Sequence, residues 1–306
     1  MEPTLAQDFL PFPPEVVAGH FLGSDELRRG LAAGFLKTVE RWREIAAHEH
    51  GSLMGVTAGG AATYARQLEK DEPFWAAVAL MTLYYTGDRI ENFARLLRRG
   101  FGDKPPLSDV RAWDQLLLGE LHLLFDAQLA PPREYREHLR TTVRDHSVVP
   151  YLLDAPAREG RRPLDGSATV DALLINVRTG FAVVFATRLL SDIACQGTFD
   201  SRRTDIARAI DLMLEEPKGP SPFLERREVS RTFLLLVTPK MLKEDPRARL
   251  YGWLWHDYRE HPERLSADLH HRSLVNWRQV TTRMGWATWE DCAEIVPGAC
   301  PWRERR

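Results

Sequence analysis

The stretch TVDALLINVRTGFAVVFATRLLSDIACQGTFDSRRTDIARAIDLML, Thr169 to Leu214, decides how this chain reads. It opens as an apolar run around one acid, Asp171. Thr179 and Gly180 supply a turn, and Phe181 to Thr187 form a second apolar run that ends at a cation, Arg188. Short β-branched and aromatic runs separated by turn residues predict two strands. Ser191-Asp192 then leads to a segment rich in Arg and Asp, Ser201 to Glu215, which predicts a helix. Another apolar run, Thr232 to Val237, predicts a strand after it, and Val148 to Leu153 predicts one before the quoted stretch.

Outward from this core the pattern is helical. From Ser24 onward, Leu27, Leu31, Phe35, Val39, Trp42 and Ile45 recur every three or four residues, as one helix face requires. Helices are predicted from about Ala61, over Glu72–Tyr85 and over Ile90–Arg99, before Gly100, Gly102, Pro105 and Pro106 punctuate the chain. A long helix is expected from Ser108, with Trp113, Leu116, Leu117, Leu121, Leu124 and Phe125 on its apolar face and Pro131-Pro132 as its stop. Others follow over Glu134–Asp145, Arg247–Glu260, His271–Met284 and Trp289–Ile295, while residues 1–22, with prolines at 11, 13 and 14, are expected to be extended. The expected class is α/β, or α+β: a β-β-α-β core between a helical N-terminal half and helical C-terminal decoration. The boundaries are a helical region, 1–106, and a core with C-terminal helices, 107–306, or one continuous domain.

Composition narrows the function classes. Lys plus Arg is 41 against 43 for Asp plus Glu, so any nucleic acid must meet a local basic patch rather than a polycation. Three cysteines make neither a disulfide framework nor a four-ligand zinc site, which favours a reducing cytoplasm. No secretory signal is visible, and no apolar run approaches the ~18 residues a membrane span needs, so no membrane partner is expected. Gly285 to Trp302 carries three tryptophans, read as a clasp on the core or as an exposed surface for stacking bases.

The order of the Asp171 strand, the strand ending at Arg188, the Ser191-Asp192-Ile193 step and the Arg-rich helix resembles the core of the PD-(D/E)XK nuclease superfamily, the restriction-endonuclease-like fold. The resemblance covers roughly residues 110 to 240. It implies a protein directed at nucleic acid, DNA ahead of RNA, in a setting such as bacterial defence or DNA processing. It also implies Mg2+ or Mn2+ held by carboxylates if the protein is active. Carried over residue by residue, Asp171 matches the strand Asp, and Glu120 would come from the preceding helix. The second strand's acid falls on Ala186 and its lysine on Arg188; the two positions share a strand face.

Ala186 removes a metal ligand, and Arg188 keeps a charge suited to phosphate but not to proton transfer. The resulting candidate catalytic group is Asp171, Arg188 and Glu120, with Asp171, Glu120 and Asp192 as metal ligands. Asp205 is a further acid that could substitute. Candidate nucleic-acid contacts are Arg161, Arg162, Arg202, Arg203 and Arg208. For the helix arginines, an ion-pair network with Asp205 and Asp211 stands as the equal alternative. Three readings stay open: a nucleic-acid binder with an impaired metal site, a catalytically inactive scaffold that binds protein through its helical N-terminal half, and an active nuclease with a migrated acid.

Overall fold

The computed structural model describes residues 12–49, 71–146, 169–189, 204–217, 221–244 and 251–303. It is a mixed α/β protein built on one five-stranded sheet with twelve helices among the described residues. The strands are β1 (Leu121–Gln128), β2 (Thr169–Asn176), β3 (Phe181–Thr187), β4 (Thr232–Thr238) and β5 (Met284–Thr288), in that spatial order. β1-β2-β3 run antiparallel, and β3-β4-β5 run parallel.

Three helices precede the sheet's first contacts: α1 (Pro14–Ala18), α2 (Asp25–Glu49) and α3 (Glu72–Tyr85). They are followed by α4 (Arg89–Phe101) and the short α5 (Trp113–Leu117). α6 (Arg133–His146) follows β1, and α7 (Asp205–Leu214) lies between β3 and β4. The remainder are α8 (Lys240–Glu244), α9 (Tyr251–Glu260), α10 (Arg264–Asp268), α11 (Trp277–Thr282) and α12 (Trp289–Ile295).

The strands read as unbroken apolar runs because the sheet is covered on both faces. Leu123, Phe125, Ala172, Leu174, Phe181, Val183, Phe233 and Leu235 pack against α3, α4 and α12. The alternate residues Leu124, Leu173, Ile175, Val184, Leu234 and Leu236 pack against α7, α9 and α11. This is the period-two alternation of a strand, apolar on both sides.

α3 carries nine buried residues, Phe74 to Leu83, on nearly its whole circumference, as a helix wedged inside a core requires. Its N-cap Asp71 accepts a bond from the Phe74 N–H. The tryptophan-rich C-terminal segment forms a clasp: Trp289 is 1% exposed, and Trp302 packs edge-on against Trp75 and Trp289. Of the pair Trp253 and Trp255, the first is 59% exposed and the second 1%.

Several expectations are corrected. The long helix from Ser108 is a five-residue helix followed by β1. Gly119, at φ 120°, adopts a backbone that only glycine takes without strain and turns the chain into the strand. The segment His271–Met284 is helical only over Trp277–Thr282 and then becomes β5. The β-β-α-β core is therefore extended by a strand at each edge. Pro14 starts a short helix inside the expected lead-in, where a missing N–H costs nothing. On α2 the buried ridge is Ala32 and Leu36, while Leu27 and Leu31 are exposed. The strand expected at Val148–Leu153 and the helix from Ala61 lie outside the described residues.

Gly285 of β5 tests how tightly α4 meets the sheet. A Cβ there would stand 2.6 Å from the Phe101 ring, which is itself held 5.3 Å from both Trp113 and Phe233. Gly285→Val should cost about 1–3 kcal/mol in urea unfolding, as overpacking does. Gly30→Ala, with open space around its α-carbon, should instead gain roughly 0.5–1 kcal/mol through helix propensity.

Candidate functional site

Asp171 lies near the start of β2, where the β2-β3 hairpin brings it level with the end of β3. Continuing the register Ala172↔Phe185 by one residue sets Asp171 across from Ala186. Three donors reach a single oxygen, Oδ2: the Thr187 N–H at 2.7 Å, the Thr187 hydroxyl at 3.0 Å and Arg188 Nη1 at 3.2 Å. Arg188 Nη2 donates to Asp205 Oδ2 at 2.7 Å. Asp205 is the first residue of α7, behind the N-cap Thr204, where the exposed N–H groups favour an acid.

The guanidinium therefore bridges sheet and helix. Its side chain is 16% exposed, against 34% for Asp171 and 12% for Asp205. Its backbone is fixed as well. The Arg188 N–H donates to the Val237 carbonyl at 3.0 Å, and its carbonyl accepts from Trp289 Nε1 at 2.8 Å. Nη1 also donates to the Thr187 carbonyl at 2.6 Å. A small open cleft runs over this group, lined by Asp171, Ala186, Arg188, Asp205 and Arg208 among others.

A third carboxylate adjoins it. The pairs Phe125↔Ala172 and Ala127↔Val170 flank Asp126 and set it across from Asp171 on the neighbouring strand. Asp126 has φ 45°, a left-handed backbone that Asp tolerates better than most residues. Partial burial raises its carboxyl above the ordinary value, and the Asp171 charge raises it further. Sequence reasoning missed Asp126 because it read this run as helix. The alternation in LHLLFDAQ after Gly119 was the available signal.

The structure does not bring Glu120 to this group. It precedes β1 at the opposite end of the sheet, about 20 Å from Asp126 at the rise of an extended strand. There its carboxylate faces His122 at 3.4 Å and is 66% exposed. The bend leading into β1, not a helix, carries that position, which is why the expected ligand is lost. Asp192, Arg161, Arg162, Arg202 and Arg203 lie outside the described residues. Arg208 does line the cleft. Among the described residues, no group of three His, Cys, Asp or Glu side chains is arranged to hold a metal. None of the described helices is long and apolar enough to cross a membrane.

Several arginines outside the cleft have structural partners. Arg227, 2% exposed, donates to the carbonyls of Met213 and Glu215 and so caps the end of α7; burial pulls its pKa down to about 10. Arg231 pairs with Asp109, and Arg98 and Arg99 pair with Glu91 and Glu294. Asp211, fully buried on α7, is held by Arg272 and by His271 at 3.1 Å, and Arg272 continues to Glu215 at 2.7 Å. The acids of α7 thus pair with Arg188, His271 and Arg272 from outside the helix, where the sequence suggested the helix arginines.

Two outcomes follow from this geometry. Replacing Arg188 by Met should cost about 1–3 kcal/mol in urea unfolding, because two carboxylates lose their shared partner in a partly exposed site. Adding Asp205→Asn should recover part of that loss, and a double-mutant cycle measures the coupling. Asp126→Asn should raise Tm at pH 7. A raised folded-state pKa means the charged form is disfavoured in the fold at neutral pH, so removing the charge helps there. The benefit should fade as pH falls through that pKa and vanish below the ordinary carboxylate value, where both proteins are neutral at this position.

No protein family, curated protein or solved structure matches the chain, and functional assignment rests on the site's own geometry.

Proposed function

We propose that this is a nucleic-acid-directed protein on a PD-(D/E)XK-like core whose metal site no longer turns over. The topology supports the core: an antiparallel β1-β2-β3 meander, then α7, then β4 parallel to β3. Asp171 stands on the middle strand of the meander, and Ala186 and Arg188 stand at the end of the next.

One observation carries the loss of turnover. Arg188 is bonded to both Asp171 and Asp205, so its positive charge occupies the place between carboxylates that a divalent cation would need. An acid at 186 would stand across from Asp171; alanine gives the cation no second strand ligand there. The binding half of the proposal rests on Arg208, which lines the cleft, and on Arg161, Arg162, Arg202 and Arg203, which flank the two strands in sequence.

A second reading has its own observation. Asp126 faces Asp171 across β1 and β2, and two adjoining carboxylates of which one is reluctant to ionise form a pair that a cation would stabilise. In that reading Asp126 is the migrated acid.

The test is cleavage and binding of labelled duplex and single-stranded DNA and RNA, with Mg2+ or Mn2+, over a salt series. The expected result is no cleavage, with binding that weakens as salt rises and weakens further in Arg202→Ala/Arg203→Ala. Cleavage that disappears in both Asp171→Ala and Asp126→Ala would replace this proposal with the second reading. Neither cleavage nor salt-sensitive binding would leave a protein-interaction scaffold.

A further inference from the structure

Away from the cleft, His138 and His270 meet edge to face. Their Nε2 atoms are 2.6 Å apart, with ring centroids 4.1 Å apart and planes at 76°. His138 lies on α6, and His270 lies in the turn after α10, 132 residues further along the chain. We propose that this pair binds a divalent transition ion, Zn2+ foremost, through the two imidazole nitrogens with water completing the shell.

The argument starts from the lone pairs. Each neutral imidazole has one acceptor nitrogen and one N–H. Two Nε2 acceptors this close repel each other, and two N–H groups do the same. One neutral ring donating its N–H to the other satisfies the contact as a hydrogen bond, and a cation that takes both lone pairs can replace that proton. Zn2+ takes imidazole nitrogens at about 2.0–2.1 Å, which places two tetrahedral ligands about 3.3 Å apart. The rings need to separate by roughly 0.7 Å to admit it, a small rotamer adjustment for side chains at the surface.

Imidazole ligands select Zn2+, Cu2+ and Ni2+ over Mg2+ and Ca2+, so this site differs in chemistry from the carboxylates near Arg188. No third His, Cys, Asp or Glu joins it among the described residues. Two imidazoles with water in the remaining positions make a more exchangeable site than a four-ligand structural zinc centre.

The location gives the ion something to do. The two residues after His270 are His271 and Arg272, which hold Asp211 and Glu215 at the end of α7. Tyr135, one turn before His138 on α6, packs its ring 5.0 Å from that of His271. An ion between His138 and His270 would tie α6 to the segment that clamps α7.

Calorimetric titration of the full, tag-free, metal-stripped chain with zinc chloride tests this. One equivalent should bind, with no response to magnesium chloride. His138→Ala and His270→Ala should each weaken zinc binding by about tenfold or more, as loss of a ligand does, while His256→Ala leaves it unchanged. Zinc should raise Tm in the parent chain and not in the two variants. His138→Gln and His270→Gln replace the alanines if those do not fold. Absence of zinc binding by the parent chain would overturn the proposal. So would retention of affinity within about twofold in both variants, a difference under ~0.5 kcal/mol.

Discussion

The Arg188 guanidinium is the constraint on which this edge of the molecule depends. It touches both the sheet, at Asp171, and the covering helix, at Asp205. Its fork suits the task, because two nitrogens can address two carboxylates that a single ammonium would have to choose between. The ion pairs alone are weak evidence of stability, since desolvation offsets much of the attraction. Their effect is positional. They set where α7 begins, and the Thr187 N–H and hydroxyl complete the shell that orients Asp171.

The same logic governs the other end of α7. Its last turn leaves carbonyls without helical partners, and Arg227 takes those of Met213 and Glu215. Asp211 is buried completely, and such a charge persists only when paired and hydrogen-bonded. Arg272 and His271 meet that requirement from a segment 60 residues further on. Burial opposes the charge on Arg272, but Asp211 and Glu215 outweigh it and hold the guanidinium protonated. The helix is thus fixed by ionic contacts at both ends, with apolar packing between, and the cleft over Arg188 inherits that rigidity.

How legible all this was in the sequence depended on the period of each segment. β2, β3 and β4 are apolar runs bounded by turn residues, and their limits fell within a residue or so of expectation. α3 and α12 matched at both ends. The failures share one cause. In LLLGELHLLF the leucines satisfy a helical stripe and a strand alternation equally, and only the backbone demand at Gly119 separates them. Reading that run as helix put Glu120 beside Asp171 and hid Asp126. The edge strand β5 was hidden similarly, because MGWAT is too short to show a period of its own. Ion-pair partners such as Asp211 and Arg272 could not be foreseen, since 61 residues separate them and only the fold brings them together.

The two departures at 186 and 188 then become one physical event on the proposed reading. A site of converging carboxylates needs positive charge whether or not it catalyses. With an acid at 186, three carboxylates would favour a divalent cation, and a lysine beside it could still move a proton. With alanine at 186 the cation loses a ligand, yet Asp171 and Asp205 remain, one with its side chain 34% exposed and the other 12%. A permanently protonated group that reaches both then holds them in the fold. Arginine at 188 meets that need and lysine does not, because lysine offers one centre and loses its charge more readily on burial. Asp126, across from Asp171 on the neighbouring strand, shows no such partner among the described residues, and partial burial and the Asp171 charge raise its carboxyl. On that proposed reading, alanine at 186 and arginine at 188 fit together: with no cation held there, the guanidinium is the group that spans Asp171 and Asp205.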